Sequence, residues 1–183
     1  MYKRQAICGR NSAHWTVTYL AVITYGAVVV PILHEFKADQ VHNIVNHSEA
    51  RLLFVGDQIW ENLNEAAMPH LEGIIELKDF GVPVSRSEKL AYARDHLNEI
   101  FGHKFPCRFR PDDISYEKEK SEDLAIINYT SGTTGYSKGV MLPYRSILSN
   151  VLYCKEKIGL KAGDSVVSML PLGHVFGLSL IHI

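Results

Sequence analysis

Apolar residues recur along the chain in two rhythms, one helical and one of short β-branched runs. Asn11 and Ser12 are favourable helix N-caps, and the spacing after them predicts a helix from Ala13 to about Tyr25, closed by Gly26. Before it, Ala6-Ile7-Cys8 reads as the end of a strand. After it, Val28-Val29-Val30 reads as a strand buried on both faces. A polar helix over about Ala38 to Asn46, a strand Leu52–Val55 closed by Gly56-Asp57, a helix over about Ile59 to Ala67 and a strand Ile74–Leu77 continue the series. Strand and helix alternate throughout this half, which predicts an α/β fold with a mainly parallel sheet flanked by helices.

The second half is less regular. Leu90, Ala93, Leu97, Ile100 and Phe101 fall at helical spacing and predict one helix over Glu88 to Phe101. Gly102 to Asp123 is polar and charged, contains Pro106 and Pro111, and reads as a surface connection. Leu124–Tyr129 reads as a strand, Gly139–Leu142 as a short strand, Arg145 to Ile158 as a helix capped by Gly159, and Ser165–Leu170 as a last strand. Ile147, Leu148, Val151, Leu152 and Ile158 form the apolar face of that helix. No internal repeat interrupts the pattern.

Composition narrows the function classes. In 183 residues, 46% hydrophobic and 21% charged, there is room for one ordinary globular domain. Nineteen Lys and Arg oppose twenty Asp and Glu, so no strong field selects nucleic acid or an anionic membrane as partner. Cys8, Cys107 and Cys154 make neither a CxxC pair nor a disulfide framework, which points to a reducing, cytoplasmic setting. None has a neighbour that would activate it as a nucleophile. His42 and His47 lack a carboxylate at metal-site spacing and read as surface histidines, so no metal ligands are assigned. The longest apolar run, Tyr19 to Leu33, is too short for a bilayer and is broken by Gly26 and Pro31. No transmembrane segment is expected, and peripheral membrane contact is left open.

The two ends share an unusual property. Met1-Tyr2-Lys3-Arg4-Gln5 can be encoded by GTG TAT AAG AGA CAG, with GTG as the start codon. The reverse complement of that DNA encodes Leu-Ser-Leu-Ile-His, which is Leu178 to His182. The segment resembles the adapter end of transposase-based sequencing libraries. Residues 1–5 and 178–183 are therefore expected to be adapter translation, and residues 6–177 to be the native window of a longer reading frame.

The densest chemistry lies in Tyr129-Thr130-Ser131-Gly132-Thr133-Thr134-Gly135-Tyr136-Ser137-Lys138-Gly139. Its glycines let a ligand approach the backbone, its hydroxyls and successive N–H groups are donors, and Lys138 supplies a positive charge. Such a set suits a polyphosphate, and it leaves a strand end, where ligands bind in open α/β sheets. The order Ser137-Lys138-Gly139 is not that of a Walker A loop, and Gly132 and Gly135 do not make GxGxxG. A polar hairpin turn without a ligand is the alternative reading of the same residues.

Tyr-Thr-Ser-Gly-Thr-Thr-Gly-x-x-Lys-Gly-Val resembles the signature of the adenylate-forming superfamily, which includes acyl-CoA synthetases, peptide-synthetase adenylation domains and luciferases. Ser137 stands where that signature usually has Pro. Tyr25 to Pro31 resembles the family's Gly-Ala-x-x-x-Pro segment, Val140 to Ser146 its strand and helix start after the loop, and Leu170 to Gly177 its Pro-Leu-x-His-x-x-Gly motif. The resemblance implies an incomplete N-terminal domain of the acyl-CoA synthetase-like fold, with the C-terminal domain absent. It implies ATP-dependent activation of a carboxylic acid to an acyl-adenylate with release of pyrophosphate, then acyl transfer to coenzyme A. Mg²⁺ would assist. Thr130, Ser131, Gly132, Thr133, Thr134, Gly135 and Lys138 would hold the phosphates, and His174 would sit near the reacting carboxylate or gate the acyl pocket. A structural histidine at a strand end is the alternative for His174. Tyr129 and Met141 read as packing residues, and Arg145 as complementing nearby acids.

The loop sequence and the His174 segment look most like those of long-chain fatty-acid CoA ligases. The alternatives are another acid (aryl or amino acid), a non-catalytic nucleotide- or phosphate-binding module, and a gene remnant. The family's later Thr-Glu and Thr-Gly-Asp segments and its lysine-bearing C-terminal domain do not occur in the sequence, so the 183 residues alone are expected to complete neither half-reaction.

Overall fold

The computed structural model describes residues 3–116, 120–130, 138–159, 161 and 163–182. Seven strands form one sheet: β1 (Arg4–Cys8), β2 (Val28–Ile32), β3 (Leu52–Val55), β4 (Gly73–Glu76), β5 (Val84–Ser85), β6 (Leu124–Thr130) and β7 (Lys138–Pro143). Their order is β5-β4-β3-β1-β2-β6-β7. The pairs β1–β2, β1–β3, β2–β6 and β3–β4 are parallel, and the outer pairs β4–β5 and β6–β7 are antiparallel.

Handedness explains how the layers arise. The helix α1 (Ala13–Thr24) carries the chain from β1 outward to β2, and α2 (Ala38–His47) carries it back past β1 to β3. Right-handed crossovers running in opposite directions put their helices on opposite faces. Each face accordingly has its own core. Ala6, Cys8, Val30, Leu53 and Ile74 pack with Val41, Ile44 and Val45 of α2. Ile7, Val29 and Ile126 pack with Trp15, Tyr19 and Val22 of α1, with Ile147 of α6 (Tyr144–Ile158) and with Leu178 of α7 (Val175–His182). Alternation within β1 is what sends Ile7 to one core and its neighbours to the other. Full burial of each such side chain is worth about 1.5–3 kcal/mol.

The N-terminal alternation is as the pattern predicts. The Ser12 hydroxyl accepts the Trp15 N–H at 3.1 Å and caps α1, and Gly26 follows the helix at φ 72°. Gly159 ends α6 at φ 68°. Arg4 and Gln5, expected to be foreign, form the first two positions of β1, and Leu178 is fully buried in α7. These placements say nothing about the DNA that encodes them.

Three elements differ from the pattern. The helix expected over 59–67 is one turn, α3 (Asp57–Trp60), and a separate 3₁₀ turn (Glu65–Ala67). Asn64 divides them: its side chain accepts the Ala66 N–H, and its own N–H donates to His42 Nε2 at 3.1 Å. The single helix expected over 88–101 is two, α4 (Glu88–Asp95) and α5 (Leu97–Lys104). The break falls at His96, at φ −123° and ψ 23°, where the imidazole stacks on Tyr92 and pairs with its carbonyl at 3.0 Å. The strand expected over Ser165–Leu170 is not one. Asn11 occupies the Ser168 and Leu170 carbonyls that a ladder would need, and Val167, Met169 and Leu170 are exposed. The two-residue β5 and the helix α7 had no sequence signal of their own.

Candidate functional site at the C-terminal edge of the sheet

Five parallel strands end on one edge, at Cys8, Ile32, Val55, Glu76 and Thr130. At the β2–β6 junction the connections part. The chain leaves β2 toward β3 on one side and leaves β6 toward β7 on the other. A parting of this kind opens a crevice beyond the strand ends, where α/β sheets take their ligands.

The hairpin β6–β7 frames one wall. Its register pairs Thr130 with Lys138, so the two described residues of the proposed phosphate set face each other across the hairpin, both exposed. Ser131, Gly132, Thr133, Thr134 and Gly135 lie outside the described residues. Just below Thr130, Tyr129 pairs with Gly139, and a Cβ on Gly139 would stand 3.1 Å from the Tyr129 ring. The missing side chain is what lets the ring lie over that strand. The Tyr129 hydroxyl meets His47 Nδ1 at 2.6 Å, with the rings edge to face at 5.7 Å. Tyr129 is therefore a packing residue, as read from the sequence, that also ties the hairpin base to α2. His47 is exposed, as read from the sequence, and engages the Tyr129 hydroxyl through Nδ1.

His174 stands beyond the end of β2. It precedes α7, its N–H donates to the Pro171 carbonyl at 3.0 Å, and its carbonyl accepts the Leu178 N–H at 3.1 Å. Its neighbour Gly173 is wedged against the end of β2: a Cβ there would meet the Ile32 carbonyl oxygen at 3.3 Å. The side chain of His174 is exposed. Residues from chain positions 130, 138 and 174 thus collect at the ends of two adjacent strands.

Asn11 has a larger part than its reading as a cap. Its Nδ2 donates to the Leu170 carbonyl at 2.8 Å and to the carbonyl and hydroxyl of Ser168 at 3.1 Å each. Its Oδ1 accepts the Leu172 N–H at 2.8 Å. Beside it lies a cleft of about 530 Å³ lined by Ser12, Thr16, Val166, Ser168, Leu172 and Ile181. The partners of Asn11 are about 160 positions away in the chain, so no local pattern signals them.

The remaining chemistry is quiet. Burial pushes the Cys8 thiol up to about 12, so it is no nucleophile. All three cysteines are free thiols. Arg145 pairs with Glu122 at 3.1 Å in an exposed ion pair, the complementing role expected of it. Among the described residues no cluster of His, Cys, Asp and Glu is arranged to hold a metal ion. No helix among them is long and apolar enough to cross a membrane.

Comparison with known proteins places this edge in context. The family model described as AMP-binding enzyme matches residues 2–183. Long-chain-fatty-acid–CoA ligase 1 of Cavia porcellus is 28% identical over 180 residues, covering 93% of this chain and 25% of the relative. Long chain acyl-CoA synthetase 6, peroxisomal, of Arabidopsis thaliana is 31% identical over 177 residues, covering 91% of this chain and 23% of its own length. The chain thus spans about a quarter of the curated relatives it matches. A long-chain-fatty-acid-CoA ligase from Archaeoglobus fulgidus superposes with a TM-score of 0.73 at 26% identity, over 98% of this chain and 32% of that one. A luciferase from Phrixothrix hirtus reaches 0.77 at 19% identity, over 98% and 34%, which speaks for the fold alone. Sheet topology and a family match along nearly the whole sequence agree: the chain belongs to the AMP-binding enzyme family.

Proposed function

We propose that the chain is part of an ATP-dependent acid–CoA ligase, one that activates a long-chain fatty acid as its acyl-adenylate and passes the acyl group to coenzyme A. One observation carries the reading: Thr130 and Lys138 at the hairpin base and His174 beside the end of β2 share one edge of the sheet. The barrier to such a reaction is bringing a carboxylate to a polyanion, and fixed donors with a cation offset it. Lys138 and the Thr130 hydroxyl, together with Ser131, Gly132, Thr133, Thr134 and Gly135, would hold the phosphates and the departing pyrophosphate. His174 would meet the acid. Mg²⁺ would neutralise further phosphate charge. The long-chain acid is favoured by the relatives, which are long-chain fatty-acid CoA ligases and a long chain acyl-CoA synthetase. A cytoplasmic setting keeps the support of the three free thiols. We also keep the proposal that residues 1–5 and 178–183 are adapter translation around a native window of 6–177, which reading the source DNA without a transposon step decides.

The functional reading is tested by ATP titration of the purified chain. Wild type is expected to bind ATP, and Lys138→Ala to weaken binding about tenfold or more, the loss of a charge-assisted contact. Equal affinity in both would remove Lys138 from the site. No binding by either would remove the phosphate role of the hairpin. Acid-dependent exchange of labelled pyrophosphate into ATP is not expected from these 183 residues; its appearance would show that they suffice for adenylation.

A further inference from the structure

We infer that Asn11 is a positioning residue: its carboxamide fixes the 168–172 segment to the sheet edge and so sets where His174 stands. For its chemical consequence the inference rests on the proposed acid-activating role of that edge. The geometry is specific. Both faces of the amide are used, Nδ2 toward the oxygens of Ser168 and Leu170 and Oδ1 toward the Leu172 N–H. Asn11 itself is held firmly, because the next residue, Ser12, caps α1 through the N–H of fully buried Trp15.

Among the described residues, the segment that it grips has few other hydrogen bonds. Hydrogen bonds within 161–170 are local: Asp164 N–H to the Lys161 carbonyl, Lys161 N–H to the Asp164 carboxylate, and Met169 N–H to the Val167 carbonyl. Directly after the gripped residues the chain becomes rigid. Leu172 is buried, Gly173 abuts the end of β2, and the His174 N–H closes a turn onto Pro171. Asn11 therefore acts at the junction between a loosely tied stretch and the turn that presents His174. Reacting groups need placement to within about 0.5 Å, and one amide making four contacts supplies it without adding charge.

Two variants of the 183-residue chain test this by amide hydrogen exchange and by the ring resonances of His174. In Asn11→Ala, exchange at the Leu172 amide is expected to rise about fivefold to tenfold, the loss of one hydrogen bond, and the His174 ring signals to move. Amides of Trp15 and of strands β1 and β2 should keep their protection. In Asn11→Asp the acceptor for Leu172 remains, but a carboxylate faces the Ser168 and Leu170 oxygens. Protection at Leu172 is then expected to persist while the His174 signals shift. The Asp variant also serves if the Ala variant does not fold. Unchanged Leu172 and His174 in both variants would overturn the inference. So would a uniform loss of protection across the sheet, or failure of both variants to fold, since Asn11 would then support the domain rather than one segment. None of these readouts uses ATP, so a failure here is distinct from a failure of the titration that tests the function.

Discussion

At the scale of single residues, small side chains and buried protons govern the site. Gly177 is the clearest case, since a Cβ there would stand 2.5 Å from the Pro171 carbonyl oxygen and 3.3 Å from Leu172 Cα. Those are backbone atoms, so Gly177→Ala must push α7 away from the turn that carries His174. It is expected to cost about 1–3 kcal/mol, the range for overpacking, measured by urea unfolding. Tyr129→Phe keeps the ring over Gly139 and removes only the bond to His47, so a smaller loss of about 1 kcal/mol is expected. Protons give a pH dependence with a definite sign. Burial raises the Cys8 thiol from 9.0 to about 12 and raises Tyr19 as well. The folded chain keeps protons that the unfolded chain releases above pH 9. Their contribution is complete below that value and is lost as pH rises toward 12, by about 1.4 kcal/mol per pH unit for Cys8 alone. Unfolding midpoints that fall steeply above pH 9, and less steeply in Cys8→Ala, would bear this out; a flat profile would contradict it.

At the scale of elements, the half of the chain built on the sheet differs from the segment that only lies against it. The helices α4 and α5 leave Leu97, Phe101 and Tyr92 exposed, and Phe101, Phe105 and Phe109 cluster mainly with one another at 4.9–5.9 Å. Few contacts tie such a segment down, so it opens at low cost. Limited trypsin digestion is therefore expected to cut first after Lys104 or Arg108, both exposed, before the sites at Lys37 and Arg51 that flank α2. An earlier cut at Lys37 or Arg51 would contradict this. The same contrast explains what the sequence made legible. Strands β1 to β4 and β6, and helices α1, α2 and α6, were readable because buried runs such as Val28–Val30 and caps such as Ser12 are local signals. The break at His96 was not, because a ring stacking on Tyr92 overrode an intact helical period. Nor was the fate of 165–170, because β-prone Val166 and Val167 met Asn11 instead of a partner strand. At the site, the glycine and hydroxyl pattern revealed the hairpin, and the Pro-Leu-x-His-x-x-Gly segment pointed to His174. The Asn11 and His47–Tyr129 ties join distant positions and leave no periodic trace.

At the scale of the whole molecule, a formal net charge of −1 goes with many large apolar side chains exposed among the described residues. Val140 and Met141 of β7, Leu148, Leu152 and Tyr153 of α6, and Val167 and Met169 of the gripped segment are all large and exposed. Of these, Leu148 lines a cleft of about 350 Å³ together with Ile23, Tyr144 and Ile147. A second cleft of about 640 Å³ exposes Leu52 and Phe54 of β3 beside Val17 and Phe80. Large apolar side chains left at the surface favour association, and a near-zero charge provides little repulsion to keep copies apart. The isolated chain is therefore expected to enhance the fluorescence of an apolar dye such as ANS while retaining its native circular dichroism, and to associate as its concentration rises. Val167→Lys and Met169→Lys, at side chains that enter neither core, should lower both signals without changing the urea midpoint. A double variant that still binds dye and associates as wild type does would move the sticky surface to the β7–α6 side, and Leu148→Lys with Leu152→Lys would then be the pair that relieves it. A wild-type chain that stays monomeric and dye-free at high concentration would show that these faces are too dispersed to act as one surface.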